Sequence, residues 1–429
     1  MAEQAGLPAS LDGWLALLEQ RHGQHIELGL ERVAAVRARM QAESDAVVIT
    51  VGGTNGKGST CAMLEAILQA AGYRVGLYSS PHLLRYNERV RIDGREADDE
   101  ALVRAMAQVE IARGDTPLTY FEHGTLAALA VFRAAAPDVV ILEVGLGGRL
   151  DAVNVIDSDC AIVTSVALDH MDFLGQDREA IGFEKAGIFR AGKPAICADP
   201  EPPASLVVHA DEIGARLQVS GRDFGFGGDR QQWAFWGRGG TLRRGGLAFP
   251  ALRGANQLLN AAAAMAALDE LRDLLPVPMQ AVREGLMLVE LAGRFQILPG
   301  RPTIVMDVAH NVQAVGVLAE NLSNMGYFPE TWAVFAMLSD KDVEGVAERL
   351  RGRVDHWLLA GLDGPRGMPA ETLAQRIRQV VGDTDLRLFD SPAEAFSAAR
   401  EGASEDDRIV VFGSFLTVAA VLPMARASR

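Results

Sequence analysis

Cysteine is scarce in this sequence: only three cysteines occur among 429 residues. Cys61, Cys160 and Cys197 lie far apart, without the close paired spacing that zinc sites use. The sequence therefore offers neither a disulfide framework nor a cysteine-based metal site. We expect three buried, reduced thiols, which fit a cytoplasmic location.

Long apolar runs and an excess of basic residues are also lacking. No charge-free apolar run reaches the roughly 18 residues that indicate a membrane-spanning helix. The N-terminal residues MAEQAGLPASLDGW lack the basic and apolar regions of a signal peptide. Lys and Arg number 41 against 56 Asp and Glu, a formal net charge of −15. These absences argue against a membrane or nucleic-acid partner.

The most informative stretch that is present is AVVITVGGTNGKGST, residues 46–60. An apolar, β-branched run predicts a buried strand, a glycine-rich loop follows, and the apolar spacing of residues 61–71 predicts a helix. Backbone N–H groups of such a loop and the N-terminus of such a helix attract an anion. We therefore predict a nucleotide-binding loop, in which Lys57 reaches the outer phosphates and Ser59 ligates Mg²⁺.

This loop departs from the standard pattern G-x-x-x-x-G-K-[ST], which would require a glycine at Val51 and a hydroxyl at Gly58. The alternative interpretation is a glycine-rich turn without a ligand. Because Lys57 and Ser59 would add nothing to a plain turn, we favour the nucleotide site.

Polar side chains follow the next predicted strand, residues 74–78, at Ser79–His82. Arginines come after them, including Arg85. Ligands of open α/β sheets bind at the carboxyl ends of the strands. The segment is therefore either a solvated loop with ion pairs, or a flexible substrate loop that brings Ser80 to a metal and an arginine to an anion.

A single carboxylate closes the apolar strand predicted over residues 138–144. A glutamate such as Glu143 is costly in a buried strand unless it is paired or binds a metal, so we predict that it holds Mg²⁺. His170 follows another predicted strand, 160–166, although a lone histidine is more often structural. Spacing alone does not distinguish Lys185 from an ordinary solvated helix lysine.

The sequence pattern changes twice in the second half of the chain. Residues 218–250 predict β-hairpins, and Gly293–Pro302 predicts a domain junction. Beyond the junction five strands alternate with helices, which predicts a further α/β domain. We therefore predict two domains, 1–295 and 296–429.

The motifs also carry a resemblance, and in chain order they are GGTNGKGS, YSSPH, RYNERVR, LEVGLGGRLDAVN, SVALDHMDFLG, EKAGIFR, GRFQ, DVAHN and DKD. Together they resemble the folylpolyglutamate synthase family, and most closely its bacterial members that are also dihydrofolate synthases, within the Mur ligase superfamily. The phosphate loop of that family is of the GTNGKGS type, which accounts for the departure noted above. The resemblance implies an N-terminal P-loop ATPase domain of Mur ligase type and a C-terminal Rossmann-like α/β domain.

The resemblance further implies ATP and two Mg²⁺ ions, with Lys185 carbamylated on Nζ. The implied ATP-binding residues are Thr54, Asn55, Gly56, Lys57, Gly58, Ser59, Asn260, Arg294 and Asp307. The segment around Asn260 departs from the HQxxNA pattern of relatives. The implied metal ligands are Ser59, Ser80 and Glu143 for one ion, and His170, Glu143 and Lys185 for the other. We take Lys57, Glu143, His170 and Lys185 as the catalytic residues.

The pterin-binding positions of the family correspond to Leu28, Gly29, Leu30 and Glu31, and to Thr119, Tyr120, Phe121 and Glu122. Further candidate substrate-binding residues are Arg85, Arg149, Asp151 and His310. The implied protein is a cytoplasmic monomer that adds L-glutamate to dihydropteroate and to reduced folates, through an acyl phosphate formed from ATP.

Three other interpretations remain. The nearest is a folylpolyglutamate synthase without the dihydrofolate synthase activity. A peptidoglycan-type Mur ligase is a second, but the phosphate loop begins too early for an N-terminal UDP-binding domain. A P-loop NTPase that acts as a switch is a third; it would turn over ATP without any small-molecule acid.

Overall fold

The computed structural model describes residues 7–21, 27–41, 44–229, 231–382 and 384–427. The chain divides into two compact units: Met1–Ala251 with Leu258–Val289, and Leu252–Gln257 with Glu290–Arg429. Our division after residue 295 stays a prediction, and it did not foresee that a short earlier segment packs with the second unit. Within the described ranges, no helix combines the length and apolar character needed to cross a membrane.

The first unit is built on a large, mostly parallel sheet. Its strands are β1 (Val47–Gly52), β2 (Val75–Tyr78), β3 (Val90–Ile92), β4 (Arg95–Glu96), β5 (Val139–Glu143), β6 (Cys160–Val163), β7 (Pro194–Cys197) and β8 (Arg216–Val219). The strand order is β4-β3-β2-β5-β1-β6-β7-β8, in which the β2–β3 and β3–β4 pairs are antiparallel and the other pairs are parallel. The central strands are almost wholly apolar because helices cover a parallel sheet on both faces.

Ten α-helices are described up to residue 288. They are α1 (Leu11–Arg21), α2 (Glu31–Met40), α3 (Lys57–Ala70), α4 (Asp99–Arg113), α5 (Tyr120–Ala135), α6 (Met171–Leu174), α7 (Arg178–Ala186), α8 (Ala204–Glu212), α9 (Asn256–Glu270) and α10 (Met279–Leu288). The predicted hairpins form a separate antiparallel sheet of β9 (Gly225–Gly228), β10 (Trp233–Gly237) and β11 (Leu242–Leu247).

Helix α5 begins earlier than the apolar pattern predicts. The continuous Ala- and Leu-rich run begins at Leu126, but the helix starts at Tyr120 because Thr119 and Glu122 form a capping box. The hydroxyl of Thr119 accepts the backbone N–H of Glu122 at 3.2 Å, and the Glu122 carboxylate accepts the N–H of Thr119 at 2.8 Å. One predicted pterin-binding segment is therefore a helix N-terminus.

The second unit carries one more strand than predicted. Its strands are β12 (Gln296–Leu298), β13 (Thr303–Met306), β14 (Thr331–Phe335), β15 (His356–Ala360), β16 (Asp385–Phe389) and β17 (Arg408–Phe412). The sheet order is β12-β13-β17-β14-β15-β16, in which the unforeseen β12 pairs antiparallel with β13. Its helices are α11 (Val312–Asn324), α12 (Val343–Leu350), α13 (Ala370–Val381), α14 (Pro392–Gly402) and α15 (Phe415–Ala427).

Candidate functional site

The predicted phosphate loop joins β1 to α3 and is held against the loop that follows β6. The backbone N–H of Thr54 donates to Ser165 O at 2.7 Å, and the N–H of Asn55 donates to Ser165 Oγ at 3.0 Å. A Cβ atom on Gly53 would lie 2.0 Å from Thr164 Oγ1, so only glycine fits. The loop is thus a braced, close-packed turn at the N-terminus of α3, as a phosphate cradle requires.

Lys57 occupies the first position of α3. Its ammonium donates to Gly53 O at 3.0 Å and to Thr54 O at 3.2 Å, so the side chain folds back over its own loop. Ser59 lies in the same turn and is buried, beside Gly58. Gly56, with φ +92°, faces Asn260 of α9: a Cβ at Gly56 would lie 2.6 Å from Asn260 Oδ1. The structure therefore brings the predicted ATP residues of the first unit together.

Glu143 ends β5 beside this loop. In the β1–β5 register Val51 lies opposite Glu143, so the carboxylate emerges one residue before the end of β1. The side chain is buried, and its Oε2 accepts the backbone N–H of Ser80 at 3.1 Å. Two predicted metal ligands, Ser80 two residues after β2 and Glu143 at the end of β5, are thereby in contact through the backbone of Ser80.

The predicted second metal site involves a buried lysine. Lys185 is 3% exposed on α7. Burial, followed by the charge of Lys57, lowers its pKa to about 7, although Asp169 and Asp151 oppose the shift. A lysine with this pKa exists in large part as the neutral amine, which is the form that can become a carbamate.

His170, another predicted ligand of the second ion, lies at the start of α6. Its backbone N–H donates to Asp169 Oδ1 at 2.9 Å.

Among the residues described, no three His, Cys, Asp or Glu side chains converge as a ready-made metal site. The predicted ligands of the first ion, Ser59, Ser80 and Glu143, offer two hydroxyls and one buried carboxylate. Such an oxygen set fits Mg²⁺, which binds few protein ligands and takes the remainder from waters and substrate phosphates.

The two predicted pterin-binding segments meet through a residue that the sequence analysis did not select. Arg32, in the first turn of α2, donates from Nη2 to Glu122 Oε1 at 2.9 Å. The backbone N–H of Gly29 donates to Leu150 O at 3.2 Å. The ring of Phe121 lies over Gly145, where a Cβ would come within 2.5 Å of it. The segments therefore lie near the glycine-rich loop that follows Glu143.

Three of the remaining candidates are already engaged by protein groups. Arg149 donates to Glu184 Oε1 at 2.8 Å, and Arg85 lies 3.7 Å from Asp99 and 4.0 Å from Glu96. Asp151 is buried, and its carboxylate oxygens accept the backbone N–H groups of Leu146 and Val153 at 2.8 and 3.0 Å.

Burial raises the pKa of Asp151 to about 7. Its described contacts brace its own loop, so its predicted substrate contact remains a prediction. The same holds for Arg85 and Arg149, whose described partners are carboxylates of the chain itself.

In the second unit, three predicted residues lie near one another: Asp307 and His310 follow β13, and Arg294 precedes β12. Asp307 accepts the backbone N–H groups of Phe295 and Ala309 at 2.9 and 2.8 Å. Burial raises its pKa, although the nearby Arg294 opposes the shift. The Arg294 guanidinium lies 4.9 Å from the ring centre of Phe415, and the His310 ring lies 6.3 Å from it.

Another feature that the sequence analysis did not single out follows Ser80. Arg89 donates from Nε to His82 Nδ1 at 2.8 Å and lies over the rings of Tyr86 and Tyr120, at 5.4 and 5.6 Å. Burial and the charge of Arg89 lower the pKa of His82 to about 4, so this imidazole is neutral. The motif RYNERVR signals several arginines, but spacing does not indicate which of them lies among aromatic rings.

Comparison with known proteins identifies two domains and full-length relatives. Residues 51–212 match the Mur ligase middle domain, and residues 293–415 match the Mur ligase glutamate ligase domain. The dihydrofolate synthase/folylpolyglutamate synthase of Escherichia coli K12 is 48% identical over 427 residues, which covers 99% of this chain and 97% of that protein.

Solved structures give the same result. The structure described as E. coli FolC in complex with DHPP and ADP superposes with a TM-score of 0.93 at 47% identity, covering 98% of this chain and 99% of that one. A bifunctional folylpolyglutamate synthase/dihydrofolate synthase with Mn, AMPPNP and L-glutamate bound gives a TM-score of 0.90 at 46% identity, covering 97% of this chain and 98% of that one.

These matches confirm the predicted fold class, a P-loop ATPase domain of Mur ligase type followed by a Rossmann-like α/β domain. They extend over nearly the whole chain, well beyond the residues of any single motif. This chain belongs to the dihydrofolate synthase/folylpolyglutamate synthase family of Mur ligases.

Proposed function

We propose that this protein is an ATP-dependent ligase that adds L-glutamate to dihydropteroate and to the γ-carboxyl of reduced folates. One observation carries the proposal: the ring of Phe121, in a predicted pterin-binding segment, lies over Gly145, two residues beyond the buried Glu143. A pterin site at these segments places its ligand next to the phosphate loop and the predicted metal ligands. The near-full-length relatives support both activities.

The proposed reaction begins with transfer of the γ-phosphoryl group. A carboxylate is a poor acyl donor because oxide would have to leave. A substrate carboxylate oxygen forms a bond to the γ-phosphorus, the bond to the ADP oxygen breaks, and an acyl phosphate results. The approach of two anions opposes this step, and Lys57, swung from its loop carbonyls to the phosphates, reduces the repulsion.

The second step forms the amide bond. The amine of glutamate attacks the acyl carbon, a proton leaves the nitrogen, and the carbon–oxygen bond to phosphate breaks as the tetrahedral intermediate collapses. We assign glutamate to the second-unit cluster that contains His310. The Nδ1 atom of His310 lies 2.9 Å from the carbonyl oxygen of Val308. Because a carbonyl can only accept, Nδ1 donates, and this hydrogen bond fixes the orientation of the imidazole.

We assign Mg²⁺ as the metal. Ser59, Ser80 and Glu143 would hold one ion, and Glu143, His170 and carbamylated Lys185 a second. When bound, the ions would neutralise charge on the phosphate oxygens. The buried, partly neutral Lys185 supports carbamylation, because the carbamate replaces a cation by an oxygen ligand. Arg294 and Asp307 are proposed ATP contacts, and Arg85, Arg149 and Asp151 proposed substrate contacts. We further propose a cytoplasmic monomer without a membrane or nucleic-acid partner.

The testing experiment measures ADP release by the purified protein with Mg-ATP and L-glutamate. 7,8-Dihydropteroate and tetrahydrofolate are added in separate reactions, and each is repeated without glutamate. We expect release with either pterin acid, and only when glutamate is present. Release with tetrahydrofolate alone would leave a folylpolyglutamate synthase. Release that is indifferent to both acids would overturn the ligase assignment in favour of a plain NTPase.

A further inference from the structure

One guanidinium joins the two predicted pterin-binding segments. Arg32 donates from Nε and Nη2 to Oε1 of Glu122, at 3.2 and 2.9 Å. On its other side it contacts the Glu27 carboxylate, and Nη2 donates to Glu27 O at 3.1 Å. Glu27 immediately precedes the segment 28–31, and Glu122 ends the segment 119–122. Arg32 therefore spans the interval between segments about 90 residues apart in sequence.

Glu122 depends on this contact. Its side chain is 4% exposed, against 20% for that of Arg32. Its Oε2 accepts the backbone N–H of Thr119 at 2.8 Å, which completes the capping box of α5. A buried carboxylate needs a paired cation, because its desolvation is otherwise uncompensated. Without Arg32, the N-terminal turn of α5 would retain a buried charge that backbone hydrogen bonds alone must stabilise.

The segment 28–31 has a second tether in the backbone hydrogen bond from Gly29 to Leu150 O, at 3.2 Å. At its other end the segment runs into α2, where Leu30 O accepts the backbone N–H of Ala34 at 2.8 Å. Arg32, in the first turn of that helix, ties this end to Glu122. A planar ring bound between two segments needs their separation to be set in advance, since closing an adjustable gap costs binding free energy.

We propose that Arg32 is a positioning residue that sets the separation of the two pterin-binding segments and so determines the affinity for the pterin ring. This inference rests on the proposed function. Both carboxylate oxygens of Glu122 are engaged within the chain, by Arg32 and by Thr119. The Nε, Nη1 and Nη2 of Arg32 in turn donate to Glu122 and Glu27, so Arg32 acts through the segments that these two residues flank.

The simpler alternative is that Arg32 only anchors α2. The same helix supplies a matched control, because Arg39 donates to Ala112 O and Arg113 O at 3.0 and 2.8 Å and so ties α2 to the end of α4. Arg39 makes no described contact with either pterin-binding segment. An anchoring role predicts the same kinetic result for both arginines.

The experiment compares Arg32→Gln, Arg32→Lys and Arg39→Gln with the wild type in the ADP-release assay. KM is measured separately for dihydropteroate, tetrahydrofolate, ATP and L-glutamate, and thermal unfolding is recorded for each variant. For Arg32→Gln we expect KM to rise about tenfold or more for both pterin substrates in parallel, as loss of a charge-assisted contact implies. KM for ATP and for glutamate should stay within about twofold of the wild-type values, because the variant weakens binding of the pterin ring alone.

The conservative variant and one additional double variant sharpen the result. Arg32→Lys keeps the charge but not the two-nitrogen fork, so its KM for the pterin substrates should lie between those of the wild type and Arg32→Gln. The double variant Arg32→Gln/Glu122→Gln removes the stranded charge and should recover part of the loss. Arg39→Gln should lower the unfolding temperature without raising either pterin KM.

The outcomes separate the two proposals. If the wild type shows no pterin-dependent ADP release, the proposed function fails. If the wild type is active but Arg32→Gln and Arg39→Gln change the four KM values alike, the positioning role is overturned while the ligase assignment stands. A fall in kcat alone for Arg32→Gln, with unchanged KM, would also overturn it.

Discussion

The carboxylate of Glu143 and the backbone N–H of Ser80 are hydrogen bonded at 3.1 Å, across the boundary between the ends of β5 and β2. This contact joins two predicted ligands of one metal ion within a single rigid sheet edge. It also gives the buried Glu143 a fixed orientation toward the phosphate loop.

We expect Glu143→Gln to lower kcat by about 10²–10³, the loss typical of removing one preorganised electrostatic group. The amide has nearly the same shape and can still accept the N–H of Ser80, so the loss reflects charge. The measurement is ADP release at saturating Mg²⁺. Glu65→Gln is the control, because Glu65 is buried to a similar degree on α3 but forms an ion pair with Arg91. Near-normal turnover of Glu143→Gln would remove the residue from the metal site.

A methyl group at Gly56 should weaken ATP binding. The residue has φ +92°, and the added Cβ would lie 2.6 Å from Asn260 Oδ1. We expect Gly56→Ala to weaken ATP binding, measured by calorimetry, by at least about tenfold, and to lose about 1–3 kcal/mol of stability through backbone strain.

The other end of α3 supplies the control for this prediction. Gly72 has nearly the same φ, +90°, but nothing lies within 4 Å of the position that an added Cβ would take. Gly72→Ala should show a similar strain cost and unchanged ATP affinity. Equal ATP affinity in the two variants would show that the contact with Asn260 has no part in nucleotide binding.

Activity should depend on dissolved CO₂ if Lys185 is carbamylated. We expect the wild type to lose most of its turnover in CO₂-free buffer and to regain it with bicarbonate. A ¹³C-bicarbonate carbamate resonance should be present in the wild type and absent from Lys185→Met. Lys193→Met is the control, because Lys193 is half-exposed and paired with Asp159. Full activity after CO₂ removal, with no carbamate resonance, would contradict the assignment.

A pH-dependent stability should arise in the second unit at His356. The imidazole bonds Asp385 Oδ2 at 2.8 Å and Glu330 Oε2 at 3.1 Å, and stacks on Trp332 with ring centres 3.9 Å apart. Partial burial disfavours the cation, but the two carboxylates outweigh it and raise the pKa of His356. Arg387 also pairs with Asp385, at 2.9 Å.

Because the folded-state pKa is raised, the stabilisation is complete below the unfolded value of about 6.5 and is lost as the pH rises through the folded-state pKa. The partners are partly exposed, so we expect only about 0.2–1 kcal/mol for each pair. His356→Gln should lower the unfolding temperature at pH 6 and have little effect at pH 9. An equal decrease at both pH values would rule out a charge effect.

Sequence patterns predicted the parts of this molecule that depend on near neighbours. The phosphate loop, Glu143 at a strand end and the alternation of the second unit all follow from local periodicity. The start of α5 did not, because Thr119–Glu122 looks like the end of a loop until the capping box forms. Strand β12 was missed since three residues are too few to show a period.

Sequence patterns did not predict contacts between residues that are far apart in the chain. Arg32 and Glu122 are each ordinary in sequence, and only the packing of α2 near α5 makes them a pair. The sequence likewise does not show that Arg85 and Arg149 face carboxylates of their own chain. Charge and spacing can indicate that an arginine is a candidate site residue, but its partner depends on the fold.

The packing of Leu252–Gln257 with the second unit limits where the chain can be divided into separately expressed fragments. The backbone N–H of Ala255 donates to Oδ1 of the buried Asn321 at 3.2 Å. A fragment that encodes residues 290–429 alone would leave that amide without this partner, and a fragment that ends at 289 would carry an orphaned peptide. We expect either half, expressed as a continuous piece, to be less stable than the same unit in the whole chain, and a circularly permuted or co-expressed design would keep Leu252–Gln257 with the second unit.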